Sequence, residues 1–416
     1  MRRVACAVVA AIAAVTLAAC APDGERAAQV LRVEAGQSIA EVVQRARTGD
    51  IVVIAAGTYR ESVKVEVDGI TIRGEDRNAV VLDGDDRLPN GFAVAANDVA
   101  IENLTVHSFT QNGVLFNGIE ATTEGRGAEQ GVVYGTGDDV LQGFRTSYVT
   151  AYNNGLYGIY AFASRDGVIE HSYVSGHPDS GIYIGQCKPC NTVIRDVVVE
   201  RNAIGYYGTN ASGDVYVIES TFRGNRLGIA PNSQLAERLT PQQATVVAGN
   251  LVVDNDDPET PPIPDGFFGV GIAVGGGTEN LVVRNRVEGN DVAGIVVIPL
   301  NEFEPLDNRV EGNVLADNGV DLLYAGSSST GGGNCFSGNE FTTSIPESVE
   351  TVLSCTGSGA VEPLRWSQPE DPEGIDYRAV PAPPPQPTMP ESAMLPIGGA
   401  GPVPAVDVDA IALPER

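Results

Sequence analysis

The chain is 416 residues long and carries 54 acidic against 26 basic side chains, a formal charge of −28. So acidic a surface repels nucleic acid and anionic lipid headgroups, and argues against a nucleic-acid partner. It also disfavours a polyanionic ligand unless a local basic cleft overrides the net field.

The N-terminus points to export. Arg2 and Arg3 precede an apolar run from Val4 to Leu17, too short to span a bilayer and laid out as a secretory signal. It ends in Leu17-Ala18-Ala19-Cys20, which resembles the lipobox of bacterial lipoproteins. That resemblance implies removal of residues 1–19 as a signal peptide and a diacylglycerol on the Cys20 thiol. Residues 20–30 would then form a linker, and the protein would sit lipid-anchored on the outer face of the bacterial cell membrane. No later run has the length and apolarity of a membrane helix.

In GQSIAEVVQRARTGD, Ile39, Val42, Val43 and Ala46 fall on one face of a short helix, with Ser38 as N-cap and Gly49 beyond its end. A solenoid has apolar ends that need covering, and this helix is suited to the N-terminal one. Short strands then begin with DIVVIAAGTY, VKVEV and ITIRG.

A glycine followed by a β-forming residue recurs at Gly113, Gly158, Gly181, Gly205, Gly228, Gly271, Gly294 and Gly319. The spacings are 45, 23, 24, 23, 43, 23 and 25. The two long ones read as two units each, so the period is about 23 residues. Runs such as VIRDVVVE alternate with period 2, and turns often place an asparagine near the glycine: Asn202, Asn225, Asn290, Asn318. Asparagine tolerates the left-handed conformation of such turns. The expected fold is all-β: a right-handed parallel β-helix solenoid of about twelve coils over residues 31–356, with a short N-terminal capping helix.

Beyond the signal and Cys20, the cysteines are Cys187, Cys190, Cys335 and Cys355. An even number in an oxidising compartment points to disulfides. Three connectivities are open; proximity favours Cys187–Cys190 and Cys335–Cys355. A redox CxxC wants a helix N-terminus to depress its thiol pKa, and the flanks here are strand-like. Residues 357–416 read as a tail: ten prolines fall between Arg378 and Arg416, which forbids helices and central strands and suggests an extended, largely disordered spacer.

LRVEAGQSIAEVVQRARTGDIVVIAAGTYRESVKVEVDGITIRG resembles the opening of right-handed parallel β-helix proteins of the pectin-lyase-like superfamily. More narrowly, NGLYGIYAFASRDGVIEHSYVSGHPDSGIYIGQ resembles bacterial exported or lipid-anchored parallel β-helix repeat proteins. The resemblance implies fold and location. For activity it leaves polysaccharide lyases, hydrolases, uronate epimerases and non-catalytic members open.

Several residues are candidates for a site. Gly137-Asp138-Asp139 matches a fragment of the polygalacturonase-type motifs, and paired carboxylates suit glycoside cleavage. His177, Asp179, Tyr183 and Lys188 make a partial acid/base set for a lyase or epimerase, although His177 falls in the turn position that carries Asn202 and Asn225 in later coils. The blander reading of His177 is a turn residue with an exposed ring. Strand alternation turns Leu115, Tyr160, Tyr183, Tyr207 and Ala230 outward. Three tyrosines on consecutive coils predict an exposed aromatic ladder, flanked by Tyr157 and Tyr206 and with Lys188 nearby, suited to a sugar face. The acidic run Asp254, Asp256, Asp257 and Glu259 could hold Ca²⁺ through oxygen ligands. Sequence therefore favours a non-catalytic face for a carbohydrate or exported protein partner, with a polysaccharide lyase or epimerase and an accessory factor for another exported protein as alternatives.

Overall fold

The computed structural model describes residues 26–118, 140–235, 237–262, 267–357 and 359–416. Cys20, Asp138 and Asp139 lie outside these residues. Among the described residues no helix is long and apolar enough to cross a membrane.

The chain winds through three parallel sheets of twelve, eleven and ten strands, and each strand pairs with its counterpart one coil on. The twelve-stranded sheet runs from Val30–Val33 to Cys335–Ser337, and the ten-stranded one from Gly57–Tyr59 to Val314–Ala316. The eleven-stranded sheet, from Val63–Val65 to Ser344–Ile345, carries the site described below. Every second residue points into the shared core. In the eleven-stranded sheet Val114, Ile159, Ile182, Tyr206, Ile229, Ile272, Ile295 and Leu322 stack in register, all fully buried. Burying one such aliphatic side chain contributes about 1.5–3 kcal/mol, so the stacked columns dominate the stability of the coil.

Both ends are covered. Helix α1, Ile39–Val43, buries Ile39, Val42 and Val43 against the first coil. The Ser38 hydroxyl accepts from the Glu41 amide at 3.2 Å, and the Glu61 carboxylate accepts from the Ile39 and Ala40 amides at 2.7 and 3.1 Å. At the far end helix α2, Val349–Val352, places Val349 in the core beside Leu353, and the Cys335–Cys355 disulfide ties the last strand of the twelve-stranded sheet to the cap. The second disulfide joins Cys187 to Cys190.

Asparagines form buried columns down the coil. In the longest, each side-chain amide donates to the oxygen of the next: Asn202 to Asn225 at 3.0 Å, Asn225 to Asn255 at 2.9 Å, Asn255 to Asn290 at 3.2 Å and Asn290 to Asn318 at 2.8 Å. The left-handed residue of each turn is not this asparagine but the one before it: Arg201, Gly224, Asp254, Gly289 and Asp317, at φ 52–68°. Asparagine is used here for its amide, which satisfies turn donors and carbonyls sealed from water.

The repeat glycines answer to a close approach. A Cβ on Gly113, Gly158, Gly205, Gly228 or Gly271 would come within 2.4–2.7 Å of the next coil's carbonyl oxygen. Gly91 belongs to this column, and Gly319 does not: its place after Gly294 is taken by Asp321. The two long spacings are not double units either. Asn112–Asn117 pairs directly with Tyr157–Phe162, and Leu227–Asn232 directly with Val270–Gly275, so each gap is one coil.

The tail departs furthest from expectation. Rather than a disordered spacer, it lies along the solenoid from end to end. Val380, Met394 and Ile411 sit at φ −63 to −74° and ψ 123 to 127°, the polyproline II region. Each closes a short 3-10 turn, Tyr377–Ala379, Glu391–Ala393 and Val408–Ala410; extended backbone between such turns makes no internal hydrogen bonds and leaves its carbonyls free for outside donors. Arginines on the coils supply the donors: Arg73 to Leu395 at 3.3 Å, Arg77 to Pro387 at 3.0 Å, Arg284 to Ile411 at 2.7 Å and Arg286 to Pro414 at 2.9 Å. Arg226 donates likewise to Pro372. At the N-terminal coils the tail bonds Gly49 and Asp98, then returns over the twelve-stranded sheet, where Ile411 packs with Val193, Ile218, Ala248 and Val283.

Candidate functional site

The sequence candidates do not converge. His177 is fully buried, not exposed, and its ring is a member of the asparagine column: Nδ1 meets the Asn202 Oδ1 at 2.8 Å and Nε2 the Asn154 Nδ2 at 3.1 Å. Burial pulls its pKa down to about 4. Sealed from solvent and bonded through both nitrogens, it is not placed to take a proton from a substrate. Lys188 is exposed on the turn between the bridged cysteines, where Nζ donates to the Gln243 Oε1 at 2.6 Å. It does not line the cleft that holds the tyrosines.

The column makes His177 a source of acid sensitivity. Its folded pKa is below the usual His value of about 6.5, so folding favours the neutral ring. The stability this provides is complete above about pH 6.5 and is lost as pH falls toward 4. His177→Asn restores the residue type of the neighbouring coils. On going from pH 7 to pH 5, denaturant unfolding is expected to show the parent chain losing about 2 kcal/mol more than this variant. Equal losses would show that the ring titrates normally.

The tyrosines lie in register as their spacing predicts, but they do not form an exposed ladder. Tyr160, Tyr183 and Tyr207 pair across consecutive strands, with ring centroids 4.9 and 6.0 Å apart and edge-on geometry. Tyr157 joins them, 4.4 Å from Tyr160 and 5.1 Å from Tyr183. Tyr206 points the other way and lies wholly in the core. Tyr183 is only 3% exposed, because the loop after Leu227–Asn232 folds back over it. The Tyr183 hydroxyl donates to Glu237, and the Gln186 amide donates to the same carboxylate at 2.9 Å. Gln234 bonds the Tyr207 hydroxyl, and its backbone exchanges hydrogen bonds with Asn210 at 2.9 and 3.1 Å.

Loop and sheet together enclose a cleft of about 440 Å³. Tyr157, Tyr183 and Tyr207 line one end and Asn232, Gln234 and Asn301 supply amides, while Leu227, Phe267, Ile298 and Leu300 make the apolar remainder. Two carboxyls face it. Burial raises Asp179 to about 6, opposed by the Tyr157 and Ser180 hydroxyls. Burial also raises Glu237 to about 7, opposed by Tyr183 and Gln186 and reinforced by the charge of Asp179. Burial pushes the Tyr157 and Tyr183 hydroxyls well above their ordinary value. Among the described residues lining the cleft there is no arginine, lysine or histidine.

The acidic run does not assemble as a cation site. Asp256 accepts from the Asp291 amide at 3.0 Å and Asp257 from the Glu259 amide at 2.8 Å. Among the described residues the one close group of acids and cysteines, Glu311 with Cys335 and Cys355, contains the disulfide and so offers no thiolate. Two of the four acids, Asp256 and Asp257, are thus taken up by backbone donors.

Of the sequence candidates, then, the cleft holds Tyr183, Tyr207 and Asp179. Glu237, Gln234 and Asn301 were not singled out, because they sit on loops that interrupt the repeat and only the fold brings them over the tyrosines.

The family described as "right handed beta helix region" matches residues 53–237, the stretch that includes the tyrosine coils and Glu237. The chain is a right-handed parallel β-helix. Among solved structures, it is similar to an alginate lyase from Paenibacillus sp. (16% identity, 77% of this chain and 96% of that one, TM-score 0.48). It is also similar to the ORF18 protein of Geobacillus virus E2 (12% identity, 72% and 57%, TM-score 0.50) and to a pectate lyase (12% identity, 76% and 78%, TM-score 0.47). At these identities the likeness is one of fold. No curated protein matches the sequence. On this β-helix the cleft lies on the outer face of the eleven-stranded sheet, walled by loops that belong to single coils.

Proposed function

We propose that the cleft on the eleven-stranded sheet binds an uncharged carbohydrate, and that the protein works as an exported glycan-binding β-helix. The observation that carries this reading is the lining: tyrosine rings, three side-chain amides and two carboxyls that burial shifts toward the neutral form, around an apolar floor. Rings offer flat faces to sugar C–H groups, and amides and carboxyls offer paired donors and acceptors to hydroxyls. The same lining argues against a uronate. Its carboxylate would meet Asp179 and Glu237 with no cation in the lining to neutralise it, which sets the lyase and epimerase alternatives back. The two disulfides support export as part of the proposal.

A second reading rests on the acids themselves. Two carboxyls with raised pKa values in one cleft are the components of acid/base glycoside cleavage, and a carboxyl near 7 suits the proton donor. Neither reading uses the tail as a free arm for an exported partner protein, since the tail is bonded along the coils.

A glycan-binding screen with residues 21–416 tests the proposal. The tail has to be kept because it is part of the fold. Glu237→Gln keeps the shape and turns one of the two oxygens that accept from Tyr183 and Gln186 into a donor; it is expected to weaken binding about tenfold, the equivalent of one charge-assisted hydrogen bond. Reducing-end release from the bound glycan by the parent chain, abolished in Glu237→Gln, would move the assignment to the hydrolytic reading. A folded chain that binds no glycan would sink both.

A further inference from the structure

The cleft does not end at Asn301. A second cavity of about 650 Å³ begins there: Ile298 and Asn301 line both. Its other wall comes from the tail, residues 363–366, with Arg365 and Trp366 facing Glu304 and the Ala325–Ser327 turn. This stretch of tail is held in place. The Val361 amide donates to the Ser329 carbonyl at 3.0 Å and Leu364 to Gly326 at 3.2 Å. The Gln368 side chain donates to the Phe268 carbonyl at 3.3 Å. Trp366 stacks on Phe267, which lines the first cavity, at 6.2 Å between centroids and 16° between planes.

The two cavities therefore form one groove. It crosses seven neighbouring strands of the eleven-stranded sheet, from Tyr157–Phe162 to Leu322–Tyr324. At about 4.8 Å per strand that is roughly 29 Å along the solenoid axis. Aromatic side chains stand at both ends, Tyr157 at one and Trp366 at the other.

We propose that the C-terminal tail builds a second subsite, with Trp366 as its stacking platform, so that the ligand is a linear neutral oligosaccharide lying along the coil axis rather than a single sugar. The inference rests on the reading of the first cleft. A compact ligand would fill one cavity and leave the other wet; a chain of rings uses the continuity through Ile298 and Asn301. Arg365 and Glu304 both line this subsite, so its formal charges sum to zero and do not favour a charged ring.

The chain has one tryptophan, so fluorescence excited selectively at tryptophan, apart from the 13 tyrosines, reports this subsite. The probes are gluco-, manno-, xylo- and chito-hexaoses with the matching disaccharides, titrated into residues 21–416 by calorimetry and by fluorescence. The expected result is that a hexaose binds about tenfold or more tighter than its disaccharide and shifts the Trp366 emission, as a stacked ring should. Trp366→Ala is expected to remove most of that length preference and Trp366→Phe to keep it, which separates stacking from misfolding. A hexaose that binds no tighter than its disaccharide and leaves the emission unchanged, while Glu237→Gln still weakens it, would overturn the second subsite and leave the first cleft standing. Binding of none of the four hexaoses would overturn both.

Discussion

Replacing Arg77 by methionine is expected to destabilise the protein by about 3–5 kcal/mol, far more than loss of an ordinary surface arginine. The Arg77 guanidinium is 2% exposed and donates to Thr150 at 2.8 Å, to the carbonyls of Val149 and His171 at 2.8 and 3.1 Å, and to Pro387 of the tail. Its own carbonyl accepts from Thr105 at 2.7 Å. Burial lowers the guanidinium pKa to about 10, still well above neutrality, so the group is buried as a cation. Methionine fills much of the volume but removes every one of these donors; the Val149 carbonyl keeps the Tyr173 amide at 2.9 Å, while the Thr150, His171 and Pro387 oxygens lose the guanidinium. Urea unfolding measures the loss, and limited proteolysis should show the tail opening near Pro387. Arg60, mostly exposed and 3.3 Å from Asp83, is the control; Arg60→Met should stay within about 0.5 kcal/mol. A change of less than about 1 kcal/mol for Arg77→Met would mean the strap carries little of the stability.

The second large effect belongs to the middle of the long asparagine column. Asn225 accepts from both the backbone and the side chain of Asn202 at 3.0 Å, and donates to the Val199 carbonyl at 3.0 Å and to Asn255 at 2.9 Å. Alanine would remove all four of these bonds and leave the buried Asn202 backbone amide without its acceptor. The expected cost is about 2–4 kcal/mol, read as a shift of the denaturation midpoint with unchanged slope. Asn225→His should cost clearly less, because the coil at His177 already accommodates a ring bonded through both nitrogens. An alanine variant as stable as the parent would show that the column is not what specifies the stacking of turns.

Legibility followed the repeat. Where one coil resembles the next, local pattern was enough: the period near 23, the inward isoleucines and the tyrosine register all come from residues whose neighbours are their own equivalents. It failed where that symmetry breaks. The insertions before Tyr157 and after Leu227–Asn232 have lengths close to one coil, so spacing alone counted them as coils. His177 could be placed in the turn column from its alignment with Asn202, but its burial depended on Asn154 and Asn202 closing on it from the adjacent coils. Tyr183 was correctly turned outward; that Glu237 covers it is a contact 54 residues away.

The tail shows the same division. Ten prolines kept residues 378–416 out of long helices and central strands, leaving short 3-10 turns such as Glu391–Ala393 and Val408–Ala410. Whether the donors to its carbonyls were water or protein was decided by five arginines spread over the solenoid, Arg73, Arg77, Arg145, Arg284 and Arg286, which only the stacked coils bring to the tail's path. The repetitive architecture was thus a property of sequence, because period-2 strands and stacked amides depend on local identity. The cleft was a property of tertiary structure, because each of its walls comes from a segment that departs from the repeat.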